Sequence, residues 1–281
     1  MDNFVIYTNL HKDKDLKVTT RVQEYLASRG KKGIVWVRDE QEDNSRFLTE
    51  NAECMIVLGG DGTMLQAARD VKQQNMPLIG VNLGTLGYLA EMELTTLEES
   101  LDRLMADDFV TESRMMLKGQ VFDPDGASRE EDLALNDIVI VRNGSLQIIK
   151  FHVYVNGQFL NGYDADGVII TTPTGSTGYN LSAGGPIVEP GARLMMITPI
   201  CPHTLNQRSI ILSPEDVIEI EIPKGKEGRE QTVFAGFDGS NMIPMKTGER
   251  IKIMIAEKTT NIIKLSSVSF LEILHKKMSQ G

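Results

Sequence analysis

The chain has 281 residues, 41% hydrophobic and 24% charged, enough for one large or two ordinary cores. Its formal charge of −10 excludes an extended nucleic-acid groove, which needs clustered Lys and Arg to displace counterions, but leaves small phosphorylated ligands open if Mg²⁺ offsets the charge. Two cysteines give no disulfide framework and fit a reducing compartment, so the cytoplasm is expected. No apolar run approaches the roughly 18 residues of a membrane span, and the first residues lack a signal-peptide apolar stretch.

In chain order, residues 4–7 read as a strand, 15–29 as an amphipathic helix ending at Gly30, and 34–37 as a second strand, the start of a βαβ layer. Residues 38–50 are polar and acidic and read as a solvated loop. Met55 to Leu58 then form a buried-strand pattern, while Leu65, Ala68 and Val71 recur at helical spacing. The segment Gly59-Gly-Asp-Gly-Thr63 therefore falls at a strand-to-helix turn, where α/β sheets bind phosphates. Glycine permits close backbone approach to a pyrophosphate, and the free N–H groups of a helix start supply partial positive charge without any lysine.

That loop matches neither the P-loop nor the dinucleotide fingerprint. Asp61 is the residue to explain. A carboxylate beside phosphate is repulsive unless a cation intervenes or the group does proton chemistry, which points to metal-assisted phosphoryl transfer with Asp61 as general base. A hairpin competes, because Asp-Gly between apolar runs signals a type I′ turn, but residues 64–72 lack strand alternation. Residues 77–81 give another strand, followed by a second glycine-rich turn at 82–88. It either closes over the same ligand or simply connects to a helix at 97–105.

From Lys118 the texture changes to short alternating strands punctuated by Asp125-Gly126, Asn143-Gly144 and Asn156-Gly157, with period-two patterns at 217–222 and 251–255. An antiparallel β domain is expected, with 223–230 as an exposed charged connection. A strand at 262–265 and a helix at 270–277 follow; Leu271 and Leu274 need a core, which sends this tail back to the first domain. Within the β domain, Asn136-Asp137 puts an amide and a carboxylate at a strand edge, able to read a ribose or base edge, although Asn-Asp alone is commonly a turn or cap. Asp164-Ala-Asp166-Gly167 precedes a strand at 168–171 that runs into a hydroxyl-rich loop at 173–182, where Tyr179 can stack on a base. His203 follows Pro199 and Pro202, which stiffen the backbone there, and could contact phosphate or be structural, and Cys201-x-His203 has no second pair to make a zinc site.

Taken together, Gly59-Gly-Asp-Gly-Thr63, Asn136-Asp137, Asp166-Gly-Val-Ile-Ile-Thr-Thr-Pro-Thr-Gly-Ser-Thr-Gly-Tyr179, Ser182-Ala-Gly-Gly-Pro186 and Pro202-His-Thr-Leu205 strongly resemble the NAD kinase family in content and order. The glycine-aspartate motif alone is shared with lipid kinases and phosphofructokinases; the later motifs are more specific. The resemblance implies a two-domain α+β fold: an N-terminal α/β, Rossmann-like domain (1–112), an antiparallel β-sandwich-like NAD-binding domain (113–258) and a returning tail (259–281).

The resemblance further implies phosphorylation of the adenosine-ribose 2′-hydroxyl of NAD, with ATP or polyphosphate as donor and a divalent ion, Mg²⁺, as cofactor. Asp61 would be the base, with Gly59, Gly60, Gly62, Thr63 and His203 at phosphate. Asp61 and Gly62 would also lie at the NAD; Asn136 and Asp137 would hold its adenosine side, Thr177, Gly178, Tyr179, Asn180 and Ser182 would line its pocket, and Asp164 and Asp166 would lie at the nicotinamide end. No protein side chain is assigned to the metal. In relatives the nicotinamide end sits at a subunit interface, so a homodimer or homotetramer is implied, with neither nucleic acid nor membrane as partner. Three positions depart from the common pattern: Asp137 replaces glutamate, Gly178 replaces alanine, and Asp164 stands where many bacterial members carry arginine. No binding role is carried onto Ser240. A diacylglycerol-type lipid kinase would need an apolar or membrane-docking surface, for which this acidic chain has no basic amphipathic helix, and a non-catalytic nucleotide sensor would lack a base such as Asp61.

Overall fold

A computed structural model of the chain describes residues 1–38, 51–71, 74–84, 87–144, 148–204, 208–266 and 268–279. Most of the acidic stretch expected as a solvated loop (39–50), part of the second glycine turn (85–86) and Leu205 of the last motif lie outside them. The chain divides into two compact units, Met1–Arg114 with Thr260–Gly281, and Met115–Thr259.

The first unit begins with β1 (Asn3–Thr8), α1 (Lys17–Ser28), β2 (Lys32–Val37), β3 (Cys54–Leu58), α2 (Asp61–Asp70), β4 (Leu78–Asn82), β5 (Ala90–Glu93) and α3 (Leu97–Met105). Its strands run parallel in the order β2-β1-β3-β4, with β5 also parallel to β4. A helical crossover between β1 and β2, and a reversal of strand order between β1 and β3, make a doubly wound layer. Every residue of β3 is buried, the expected fate of a continuous apolar run covered on both faces. Ile6, Ile56, Leu58, Ile79 and Val81 of the sheet pack with Val22 and Leu26 of α1 and Leu97, Leu101 and Leu104 of α3. Cys54 is fully buried, and burial pushes its thiol far above the ordinary range, which leaves it an inert core residue.

The second unit is all antiparallel apart from short helical turns. After β6 (Val110–Phe122), which enters from the first unit, come β7 (Ser128–Ala134), β8 (Asp137–Arg142), β9 (Ile149–Val155), β10 (Gln158–Ala165), β11 (Gly167–Thr171), α4 (Tyr179–Ser182), β12 (Met195–Ile200), β13 (Ile210–Leu212), β14 (Ile218–Glu221), β15 (Thr232–Phe237), β16 (Asn241–Lys246) and β17 (Arg250–Lys264). One sheet has six strands in the order β13-β12-β11-β8-β15-β16; another contains β10-β9-β14-β17. Phe151, Val153, Ile218, Ile220 and Ile253 of the second sheet share a core with Ile138, Ile140, Val168, Ile170 and Phe237 of the first, which makes a sandwich. The Asn156-Gly157 pair has φ of 52° and 76° and closes the β9–β10 hairpin as its sequence predicts.

Three elements differ from expectation. β6 begins at Val110, not near Lys118, because its first four residues are exposed and carry no alternation. β17 is one fifteen-residue strand where two short ones were expected, since exposed Glu257 and Lys258 interrupt the apolar pattern without interrupting the backbone. The tail does return to the first unit, but through Ile262, which pairs with Leu78, and buried Ile263 and Leu265. The final helix, α5 (Phe270–Met278), has no fully buried residue: Leu274 is half-buried, but Leu271 is 69% exposed and does not meet the core expected of it.

Candidate active site

The first cluster lies at the carboxyl ends of β1, β3 and β4, where doubly wound sheets bind ligands. Gly60 stays extended (φ −104°, ψ −166°), so Asp61 becomes the first residue of α2, and the expected hairpin alternative does not occur. A Cβ on Gly59 would sit 2.2 Å from Thr63 Oγ1, so glycine is required where the strand turns into the helix. Thr63 is buried in that contact.

The second glycine turn closes over Asp61. The Tyr88 N–H donates to Asp61 Oδ2 at 2.9 Å and the Leu89 N–H to Oδ1 at 2.9 Å. Gly87 passes so close that a Cβ there would lie 2.1 Å from Oδ1. The carboxylate is thereby fixed in orientation, while each oxygen keeps a lone pair for a further donor. Lys12, Gly59, Gly60, Asp61, Asn82, Leu83, Gly84, Gly87 and Lys277 line a cavity of about 350 Å³. Gly62 and Thr63 do not line it; nothing lies within 4 Å of a Cβ built on Gly62.

The second cluster gathers at one end of the six-stranded sheet, where β8 starts and β11 and β15 stop. Register puts Thr171 opposite Asp137 and Phe237 opposite Ile138. The carboxylate of Asp238 accepts from the N–H groups of Leu135 (2.8 Å), Asn136 (2.8 Å) and Asp137 (3.2 Å). On the carbonyl side, Thr172 Oγ1 donates to Leu135 O at 2.7 Å and Thr171 Oγ1 to Asn136 O at 3.0 Å. The Asn136-Asp137 backbone is thus held from both sides.

What remains free there is side-chain chemistry. Asn136 Oδ1 and Thr174 Oγ1 are buried polar atoms without a hydrogen-bond partner among the described residues, an arrangement that costs stability unless a ligand completes it. Asp137 is 6% exposed, and burial, followed by repulsion from Asp238, pushes its carboxyl up to about 7. It can therefore be a donor or an acceptor near neutral pH.

The segment expected as a loop at 173–182 folds into a 3-10 turn (Thr174–Thr177) and the one-turn α4. Gly175 is obligatory, since a Cβ would lie 2.4 Å from Asn136 O. Asn180 is fully buried and spends its amide internally: Nδ2 donates to Ser176 O and Pro186 O, and Oδ1 accepts from Thr198 Oγ1 at 2.7 Å. Its position shapes the pocket wall; its side chain is not offered to solvent. Thr177 and Gly178 are half-buried, Ser182 is exposed, and Tyr179 is 45% exposed with its ring available for stacking.

Asp166 lies at the opposite end of β11 from Thr171, 3.5 Å from Arg142 Nε. Asp164 is exposed on β10, and its carbonyl accepts from the His203 N–H at 2.8 Å. His203 thus belongs to the second unit and is not part of the cavity around Asp61. Among the described residues no group of three or more His, Cys, Asp or Glu is assembled to hold a metal ion.

Sequence inspection missed Lys12, Lys277, Thr174 and Asp238. The lysines carry no local motif, being 265 positions apart in the numbering. Asp238 had a usable signal, a carboxylate in a tight Asp-Gly turn with φ of 48°, but its partners are about a hundred residues upstream.

Comparison with known proteins supplies the family. Residues 4–109 match the ATP-NAD kinase N-terminal domain and residues 135–265 the ATP-NAD kinase C-terminal domain. The chain is 46% identical to the NAD kinase of Lachnospira eligens, with 99% of this chain and all of that protein aligned. It is 45% identical to that of Agathobacter rectalis, with 99% of each aligned. Among solved structures, an NAD kinase from Archaeoglobus fulgidus in complex with ATP superposes with a TM-score of 0.79 at 26% identity, covering all of both chains. A yeast NADH kinase complexed with NADH shares the fold, with a TM-score of 0.83 at 23% identity over 99% of this chain and 88% of that one. The two glycine turns gripping an aspartate, the two-unit architecture and both domain matches agree: this chain belongs to the NAD kinase family.

Proposed function

We propose that the chain transfers the γ-phosphoryl group of ATP to the adenosine-ribose 2′-hydroxyl of NAD, giving NADP and ADP, with Asp61 as general base. The observation that carries this is the Asp61 carboxylate, oriented by two backbone N–H groups within a glycine-lined cavity at the sheet's carboxyl edge. In the step, Asp61 takes the hydroxyl proton as the ribose oxygen bonds to phosphorus and the bond to the ADP oxygen breaks. Backbone fixation spares the base any reorganisation before reaction. The ATP-bound archaeal relative supports ATP as donor.

Mg²⁺ would enter with the donor, held by phosphate oxygens and water, because Asp61, the cavity's one carboxylate among the described residues, is taken up as the base. When bound it offsets charge on the donor phosphates. Asn136 and Asp137 take the adenosine side, where the orphaned Asn136 Oδ1 would accept from an amino group. Thr177, Gly178, Tyr179 and Ser182 form the rest of that wall, Asn180 shapes it from within, and Asp164 and Asp166 serve the nicotinamide end. We place the enzyme in the cytoplasm as a homodimer or homotetramer. No helix among the described residues is long and apolar enough to cross a membrane.

A coupled assay of NADP formation tests this, with NAD or NADH as acceptor, ATP or polyphosphate as donor, and diacylglycerol as the competing acceptor. ATP-dependent NADP formation is expected; phosphorylation of diacylglycerol in its place would refute the proposal.

A further inference from the structure

The cavity around Asp61 has two charged residues that no sequence motif announces. Lys12 follows β1, and Lys277 comes from the last turn of α5, yet both line the same space as Gly59, Gly60, Gly84 and Gly87. With Asp61 as the only carboxylate among the described lining residues, the two ammonium groups leave the cavity net positive on a chain whose formal charge is −10. Such a local reversal is what a polyanion needs to approach an acidic protein. A volume of about 350 Å³ lies at the lower end of the roughly 300 to 1,000 Å³ of small-molecule sites. It suits a polyphosphate tail better than an entire dinucleotide.

The placement of Lys277 is built. Its Nζ lies 4.6 Å from the centroid of the Tyr88 ring, and Tyr88 is the residue whose N–H holds Asp61. The Phe270 ring lies 6.0 Å from that of Tyr88, and Ser269 with Glu272 closes the helix start in a reciprocal capping box. No residue of the helix is fully buried, but Phe270, Ile273, Leu274 and Lys277 are half-buried, so one face of it is covered. Of the three basic residues in its last turn, His275 and Lys276 are exposed and only Lys277 lines the cavity. A compact ammonium on a flexible stem is the usual point-charge ligand for phosphate.

We propose that Lys12 and Lys277 form a two-lysine clamp on the donor's polyphosphate chain, so that the C-terminal helix serves to deliver Lys277 to the phosphates beside Asp61. This rests on the phosphoryl-transfer function given above.

The test is steady-state kinetics of Lys12→Met, Lys277→Met and Lys277→Arg, supported by calorimetric titration with inorganic tripolyphosphate. Methionine keeps an unbranched stem over Tyr88 while removing charge. Each Met variant should raise the KM for ATP about tenfold and weaken tripolyphosphate binding alike, the usual worth of one charge-assisted contact, with the KM for NAD shifting less than about twofold. Lys277→Arg should recover most of the loss, which a purely packing role for the stem would not produce. An unchanged KM for ATP in either Met variant, an equal rise in the KM for NAD, or an Arg variant no better than Met would overturn the clamp. Wild-type protein that makes no NADP would instead overturn the kinase function, and the tripolyphosphate titration would still decide the lysines.

Discussion

Asp137 gives a prediction in which stability and function oppose each other. Its carboxyl is raised from 3.8 to about 7, first by burial and then by Asp238. A raised acid stabilises the fold while protonated; that contribution is complete below the ordinary value and is lost as pH climbs through about 7. A shift of roughly three units at about 1.36 kcal/mol per unit sets a ceiling of about 4 kcal/mol on the cost of ionising Asp137, and partial water access would bring it to roughly 2 to 4 kcal/mol. Asp137→Asn keeps the shape and removes the titration. Urea unfolding of both proteins from about pH 3.5 to pH 8 should show near-equal stability at the acid end, a gap that opens as pH rises above the ordinary value, and a variant more stable by about 2 to 4 kcal/mol at the alkaline end. The same variant should bind NAD more weakly above neutrality, because a neutral amide is a poorer acceptor from ribose hydroxyls than a carboxylate. Wild-type and variant stabilities that run parallel across this range would show that Asp137 is not held up, and would remove burial and Asp238 as its governing influences.

Three further outcomes are expected. Asp61→Asn should keep fold and NAD affinity while lowering kcat roughly 10²- to 10⁴-fold, the worth of a positioned general base; near-native turnover would take Asp61 out of the mechanism. Gly87→Ala would place a methyl group 2.1 Å from Asp61 Oδ1, so kcat should fall at least about tenfold, a misplacement effect, with a smaller change in the KM for NAD; unaltered kcat would mean that the second turn does not orient the base. For Asp164, exposed on β10, NAD should remain preferred over NADH by attraction of its carboxylate to the cationic nicotinamide. The ratio of kcat/KM for the two acceptors should drop in Asp164→Asn, and equal use of both by the wild type would refute this.

The local grammar of the chain was legible without coordinates. A continuous apolar run fixes β3 as a buried strand, the helical spacing of Leu65, Ala68 and Val71 fixes α2, and the glycines between them leave Asp61 at the turn, because periodicity and turn chemistry act over a few residues. The change to alternating strands marked the second unit for the same reason, and Asn136-Asp137 could be singled out as a strand edge.

Tertiary structure alone decided how those groups are held. The bonds from Tyr88 and Leu89 to Asp61 span 27 and 28 residues, those to Asp238 about a hundred, and the cavity joins Lys12 to Lys277. The Asp238 charge that helps raise Asp137 was invisible for that reason, as was the buried commitment of Asn180 to Thr198. Even the exposed Leu271 follows this rule, since its apolarity predicts a core contact and only the docking of α5 through Phe270 and Lys277 shows that none is made. Sequence pattern fixes which residue types meet solvent or core within one element. Hydrogen-bond geometry, local charge and close backbone approach depend on which distant elements share a sheet edge, and only the folded chain brings those together.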